Sequence, residues 1–159
     1  MKNNSKDCAL LTNIKHPFLE NFSERFLIAA SENARELEFN VNEIIFSRGE
    51  RAEKFYLVME GKIGLEIDAP DHPSVRVHTV DSNRVMGWSW LVPPYKWTVT
   101  ARALKKTRVI ALDAFVLHRY FKLHPEDGYL FCLRLLPVIA ERLDETRLQL
   151  INLYDRYGD

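Results

Sequence analysis

The sequence predicts a mainly β fold with flanking helices: an antiparallel, jelly-roll-like β-roll with N-terminal helices before it and a long C-terminal helix after it. Three observations carry this. Between Ala34 and Asp113 the apolar residues come in short runs bounded by turn formers, the mark of successive strands of about 5–8 residues. On either side, at His16–Asn33 and Asp113–Tyr154, the spacing changes to three- and four-residue steps, which puts apolar side chains on one helical face. Nowhere do strands alternate with helices, which argues against a doubly wound parallel sheet.

Residues 1–15 read as a flexible polar leader around a short apolar patch, Ala9-Leu10-Leu11, and residues 16–159 as one domain. Helices over 16–33 come first: Phe18, Leu19, Phe22, Phe26 and Leu27 share a face, and Ser23–Asn33 is amphipathic. The β-roll, 34–112, follows. Its strands are Glu36–Phe39, Glu43–Phe46 (closed by Arg48-Gly49-Glu50), Phe55–Met59 (closed by Glu60-Gly61), Lys62–Ile67, Val75–Val80 (ending at Asp81-Ser82-Asn83), Trp97–Ala101 and Arg108–Leu112. The C-terminal helices, 113–154, complete the chain. Asp113 is an N-cap for Ala114–Leu123. Pro125, Glu126 and Asp127 open the long helix, with proline in the first turn and acids at the positive pole. It runs to about Tyr154, with a kink expected at Pro137, which removes a backbone donor and crowds the Leu133 carbonyl. On it Tyr129, Leu136, Leu143 and Leu150 recur every seven residues, and Cys132, Ile139, Thr146 and Leu153 form a companion row. Such a seam is coiled-coil-like. It fits packing against the roll and a homodimer through the C-terminal helix, which are compatible because a long helix has more than one face.

Composition narrows the function. Lys+Arg and Asp+Glu both number 22, giving a formal net charge of zero, without the basic surplus of proteins that live on phosphate backbone. No apolar run approaches the roughly 18 residues a membrane helix needs. The opening MKNNSKDCALLTN has no apolar signal core. A soluble, cytoplasmic protein without a membrane partner is expected. Cys8, in the leader, reads as mobile, and Cys132, beside Leu130, Phe131 and Leu133, as a buried free thiol. The histidines His16, His72, His78, His118 and His124 include no His-x-His pair, so surface positions are expected and no metal site is assigned. The run Arg102–Arg108 reads as a solvated hairpin turn. No nucleophile motif or Gly-rich phosphate loop occurs, so no catalytic residue is assigned and no enzyme activity is expected. A cupin-like metal enzyme is the lowest-ranked alternative.

The order of elements, together with Gly49-Glu50, Phe55–Ile63, Met86-Gly87, Thr98–Ala101 and Arg142-Leu143, resembles the cyclic nucleotide-binding domain family, in particular the effector domain of catabolite activator-like proteins. The resemblance spans roughly His16 to Leu153. Each motif alone is weak; their order and spacing make it specific. Gly49, Gly61 and Gly87 stand at the family's tight turns, where backbone with positive φ is needed. Asn83 stands at a further turn where glycine is common, and asparagine tolerates that conformation. The resemblance implies a non-enzymatic sensor or regulatory domain. Its ligand, a cyclic nucleotide, would sit in a phosphate-binding cassette, here Met86–Ala101, and its long helix would move on occupancy. The family's transcription factors carry a DNA-reading helix-turn-helix after the long helix. With the sequence ending at Asp159, no DNA binding by that route is expected.

In the family a glutamate directly after the cassette glycine holds the ribose hydroxyl, and an arginine clamps the phosphate beside helix-start N–H groups. Here Trp88 stands at the glutamate position and Tyr95 at the arginine position. Lys96, one residue on, lacks arginine's planar fork. Strand alternation also sends Lys96, Thr98 and Thr100 to one face and Tyr95, Trp97 and Val99 to the other. All three tryptophans of the chain, Trp88, Trp90 and Trp97, fall in the cassette. They either fill the pocket as core or line an aromatic ligand pocket with Ser89, Lys96 and Thr98 as polar handles. The candidate ligand-binding residues are Gly87, Trp88, Ser89, Trp90, Tyr95, Lys96, Trp97 and Thr98. A sensor whose small-molecule ligand is altered or lost is expected, with a protein-interaction or dimerisation scaffold as the alternative.

Overall fold

Turn residues cut the middle of the chain into eight strands, and every paired neighbour among them runs antiparallel. In the computed structural model of the chain, which describes residues 7–157, these are β1 (Arg35–Phe39), β2 (Ile44–Phe46), β3 (Lys54–Glu60), β4 (Lys62–Ala69), β5 (His72–Asp81), β6 (Val85–Met86), β7 (Thr100–Ala103) and β8 (Thr107–Asp113). They form two four-stranded sheets, ordered β1-β8-β3-β6 and β2-β7-β4-β5. The β-roll is thus as the sequence predicts. Strand β6 was not read from sequence: its two residues alternate with nothing and are held by Tyr56 and Leu57 of β3. The strand expected at Trp97–Ala101 begins only at Thr100.

At Gly61, between β3 and β4, φ is +102° and an added Cβ would lie 2.6 Å from the Lys106 carbonyl oxygen, so the turn admits only glycine. Strand β3 is a wall with two faces. Phe55 meets Phe18 and Phe131, with ring centroids 5.2 and 5.0 Å away. Its neighbour Tyr56 points to the other side, towards Phe46 and Trp97 at 5.6 and 6.2 Å. Period-2 alternation therefore serves two cores, one under the helices and one inside the roll. Inside the second sheet the buried Glu66 is paired with Arg102 at 3.2 Å and Arg76 at 3.5 Å, as a carboxylate out of water must be.

The helices are α1 (Glu24–Ala30), α2 (Ala114–Leu123) and α3 (Pro125–Tyr157). Ser23 caps α1, its Oγ accepting from the Phe26 N–H, and Asp113 caps α2 by accepting from Phe115 and Val116, in the manner caps satisfy orphan donors. Asp127, buried in the first turn of α3, accepts from Tyr120 Oη at 2.6 Å and Ser23 Oγ at 3.3 Å, joining all three helices. Helix α3 runs unbroken through Pro137, which lies on its exposed side. No helix among the described residues is long and apolar enough to cross a membrane.

Three expectations are corrected. The leader is structured over Asp7–Asn13, a 3-10 helix whose Leu11 is buried and donates its N–H to Ser31 Oγ at 3.0 Å; residues 1–6 and the side chain of Cys8 lie outside what the structure describes. Cys132 is exposed, not buried, because Phe131 and Leu135 set the inward face of α3 and a neighbouring residue is turned about 100° away. His16 is buried at 3% exposure, where a surface histidine was expected; its Nδ1 accepts from the Phe18 N–H and so serves the backbone.

Candidate functional site

The cassette starts where β6 ends. Gly87 adopts φ +86°, and an added Cβ would lie 3.0 Å from the Trp97 ring and 3.2 Å from that of Tyr56. Only a residue without a side chain lets the backbone pass so close to the indole. A one-turn 3-10 helix, Ser89–Leu91, follows. The loop then reaches Tyr95, left-handed at φ +59°, and Lys96, which forms an isolated bridge with Arg51.

This conformation splits the eight predicted residues between two places. Gly87, Trp88, Ser89, Trp97 and Thr98 line a cavity of about 360 Å³ between the roll and α3. Trp90, Tyr95 and Lys96 line a second groove, of about 710 Å³, outside it near Asp113 and the start of α2. The predicted alternation fails because residues 97–99 are not strand and Tyr95 breaks the extended backbone. Trp97, Thr98 and Val99 consequently share one cavity, and Tyr95 and Lys96 turn away together. Trp90 is core, 2% exposed. It packs edge-on to Phe55 and Phe131, and its carbonyl lies 3.2 Å from His118 Nε2.

The cavity is therefore neither empty of indoles nor plugged by them. Trp97 occupies one wall, stacked on Phe46 with ring centroids 4.0 Å apart. Trp88 forms another, with the Arg142 guanidinium 4.4 Å above its ring, within cation–π range. Leu65 and Ile67 of β4 and Ile139 and Leu143 of α3 add aliphatic surface.

Sequence reasoning named Arg142 as a motif of the resemblance and Thr146 in a helix row, but assigned no site role to the polar groups supplied by α3 and β5. Arg142 donates from Nη2 to the Val85 carbonyl at 2.9 Å. Burial pushes its pKa down to about 10, against the opposing pull of Glu145 and Glu141, so it stays charged at neutral pH. No carboxylate lies within 4.0 Å of its nitrogens among the described residues. His78 bridges α3 and the roll, its Nδ1 3.0 Å from Glu145 Oε2 and its Nε2 3.2 Å from Thr146 Oγ1. Hydroxyl, imidazole and carboxylate in a row resemble a nucleophilic triad. The Thr146 proton, however, goes to the Arg142 carbonyl at 2.9 Å and is not offered to His78. The signal for these residues was in the spacing: Ile139, Arg142 and Thr146 stand three and four apart and share a helix face.

The same stretch fastens α3 to the roll. Arg84 holds Glu141 with two hydrogen bonds, 2.7 and 3.1 Å, and Gln149 donates to the Val77 carbonyl at 2.9 Å. The arrangement can hold an anion or hydrogen-bond acceptor against an aromatic wall, directly beneath a helix. Among the described residues no three His, Cys, Asp or Glu side chains gather as a metal site requires.

Comparison with known proteins agrees with this fold. A CRP-like cAMP-activated global transcriptional regulator of Mycobacterium tuberculosis is 23% identical over 127 residues, covering 80% of this chain and 55% of that protein. The chain thus spans about half the length of the curated relatives it matches. A crystal structure of a candidate cyclic nucleotide-binding protein from Geobacter metallireducens superposes with a TM-score of 0.71 at 23% identity, over 80% of this chain and 92% of that one. The c-di-GMP-responsive global regulator of Xanthomonas campestris gives 0.70 at 15% identity, over 80% of this chain and 62% of that one. The sequence profile of the cyclic nucleotide-binding domain matches residues 36–124, more than half of the chain, which therefore belongs to the cyclic nucleotide-binding domain family.

Proposed function

We propose that this chain is a non-enzymatic, cytoplasmic sensor domain in which a small molecule other than the family's usual cyclic nucleotide fills the cavity beside Gly87–Ser89 and sets the position of α3. The observation that carries this is the open cavity of about 360 Å³ whose far wall is made by Ile139, Arg142, Leu143 and Thr146 of α3. Any occupant touches the helix that would transmit the signal. A switch of this kind works only if the ligand binds two positions of α3 unequally, and the polar fasteners between α3 and the roll are contacts that differ between such positions. The ligand is altered because Trp88 stands where a ribose-binding carboxylate is needed and Tyr95, where the phosphate clamp is needed, faces the other groove. The Xanthomonas relative, described as c-di-GMP-responsive, supports a fold that hosts more than one ligand.

The domain works as a homodimer through α3. Tyr129, Leu136, Leu143 and Leu150 of its heptad row are 50–68% exposed, so the roll leaves this seam uncovered.

A second reading has one observation in its favour. Trp97 stacked on Phe46 already takes up part of the cavity, as it would in a scaffold whose cassette has become core. Calorimetric titration with cyclic AMP and cyclic GMP, followed by a thermal-shift screen of small metabolites, separates the two. The sensor reading expects no tight binding of either nucleotide and a stabilising hit that quenches tryptophan fluorescence. A folded dimer that no compound stabilises favours the scaffold.

A further inference from the structure

Resting on that sensor reading, we propose that the cavity's ligand is an apolar monocarboxylate, its carboxylate held by Arg142 and its hydrocarbon body laid against Trp97, Phe46 and the aliphatic residues of β4. Charge comes first. Arg142 is a half-buried cation with one hydrogen bond to a carbonyl and an indole face beneath it, yet no ion-pair partner among the described residues. A half-buried guanidinium with no carboxylate paired directly to it is open to pairing with an incoming anion. The planar guanidinium fork matches a carboxylate bidentately. His78, the other titratable group lining the cavity, is already committed to Glu145 and Thr146.

The anion carries a single charge. Among the described residues Arg142 is the one arginine or lysine lining the cavity, and His78 is paired with Glu145, so no second cation is free there to hold a second negative charge. No carboxylate side chain lines the cavity, so a ribose hydroxyl finds no charged acceptor there. The rest of the lining is mostly apolar, which selects a hydrocarbon or aromatic body over a sugar. The volume is near the low end for small-molecule sites, which keeps that body short.

The test is calorimetric titration of the full chain with octanoate and phenylbutyrate, with octanol and phenylbutanol as their uncharged twins, and with cyclic AMP. Both acids are expected to bind at least tenfold more tightly than the matching alcohols. Arg142→Gln is expected to erase that preference, and Arg142→Lys to keep part of it, with circular dichroism confirming that each variant folds. Thr98→Trp, at the cavity mouth, is expected to abolish binding of acid and alcohol alike. Acid and alcohol binding equally, no binding of either acid, or a preference that survives Arg142→Gln overturns the inference. Tight cyclic AMP binding blocked by Thr98→Trp also overturns it while leaving the cavity as the ligand site. Acid binding that Thr98→Trp does not affect overturns both.

Discussion

Gly87 and Asn83 sit four residues apart in the approach to the cavity, both with positive φ, +86° and +65°, and they answer to different constraints. At Gly87 an added methyl meets the Trp97 and Tyr56 rings at 3.0–3.2 Å, so both the backbone and the packing oppose it. At Asn83 only the backbone conformation is demanding, and asparagine tolerates it locally. Gly87→Ala is expected to lower stability by about 1–3 kcal/mol and to loosen the stack of Trp97 on Phe46. Asn83→Gly is expected to change stability by no more than ~0.5 kcal/mol. Urea unfolding of both variants, followed by tryptophan fluorescence, checks the contrast; equal losses would show that the Trp97 contact is immaterial. The turn glycines were legible because a required φ narrows the residue type sharply. The fates of Trp88, Trp90 and Trp97 were not, because an indole suits a cavity wall, a buried core and a cation–π floor equally well.

Helix α3 has two working faces, and they were unequally legible. The heptad row from Tyr129 to Leu150 is visible by counting, and its exposure leaves it available to a second copy. Replacing Leu136 and Leu150 together by glutamate places like charges along that seam in both copies and avoids Leu143, which also lines the cavity. The expected outcome is a monomer by light scattering with an unchanged circular dichroism spectrum. A dimer that persists would move the interface off this row. The inward face, with Arg142 and Thr146, escaped a reading confined to the cassette because more than fifty residues separate Gly87 from Arg142 and only tertiary packing joins them. The strands show the same division. Those of five residues or more announced themselves by alternation and turn chemistry, whereas β6 exists only because β3 pairs with it. Lys96 and Thr98 were given a common face on the premise of continuous strand, which a left-handed Tyr95 removes.

At the scale of the molecule, β3 divides an aromatic core under the helices from the core of the roll, and His16 sits where the N-terminal segment joins the two. The ring is buried where the N-terminal segment meets the β3–β6 junction; its Nδ1 accepts from the Phe18 N–H at 3.2 Å, which requires a neutral imidazole. Burial lowers its pKa from 6.5, opposed more weakly by the backbone carbonyls of Val58 and Arg84. In the unfolded chain the ring titrates near its ordinary value of about 6.5. Above that pH neither state carries the proton and the contribution to stability is complete. As pH falls through 6.5 the unfolded chain takes up a proton that the folded one refuses, so stability declines until the lower folded pKa is reached. The decline for one such proton is at most about 1.4 kcal/mol per pH unit. His16→Asn keeps a side-chain acceptor for the Phe18 N–H and removes the titration. Urea midpoints measured between pH 7.5 and 5 are expected to fall more steeply for the wild type than for His16→Asn, with the two profiles separating below pH 6.5. Parallel profiles across that window would mean that His16 is protonated equally easily in both states and that the joint between helices and roll does not depend on its neutral form.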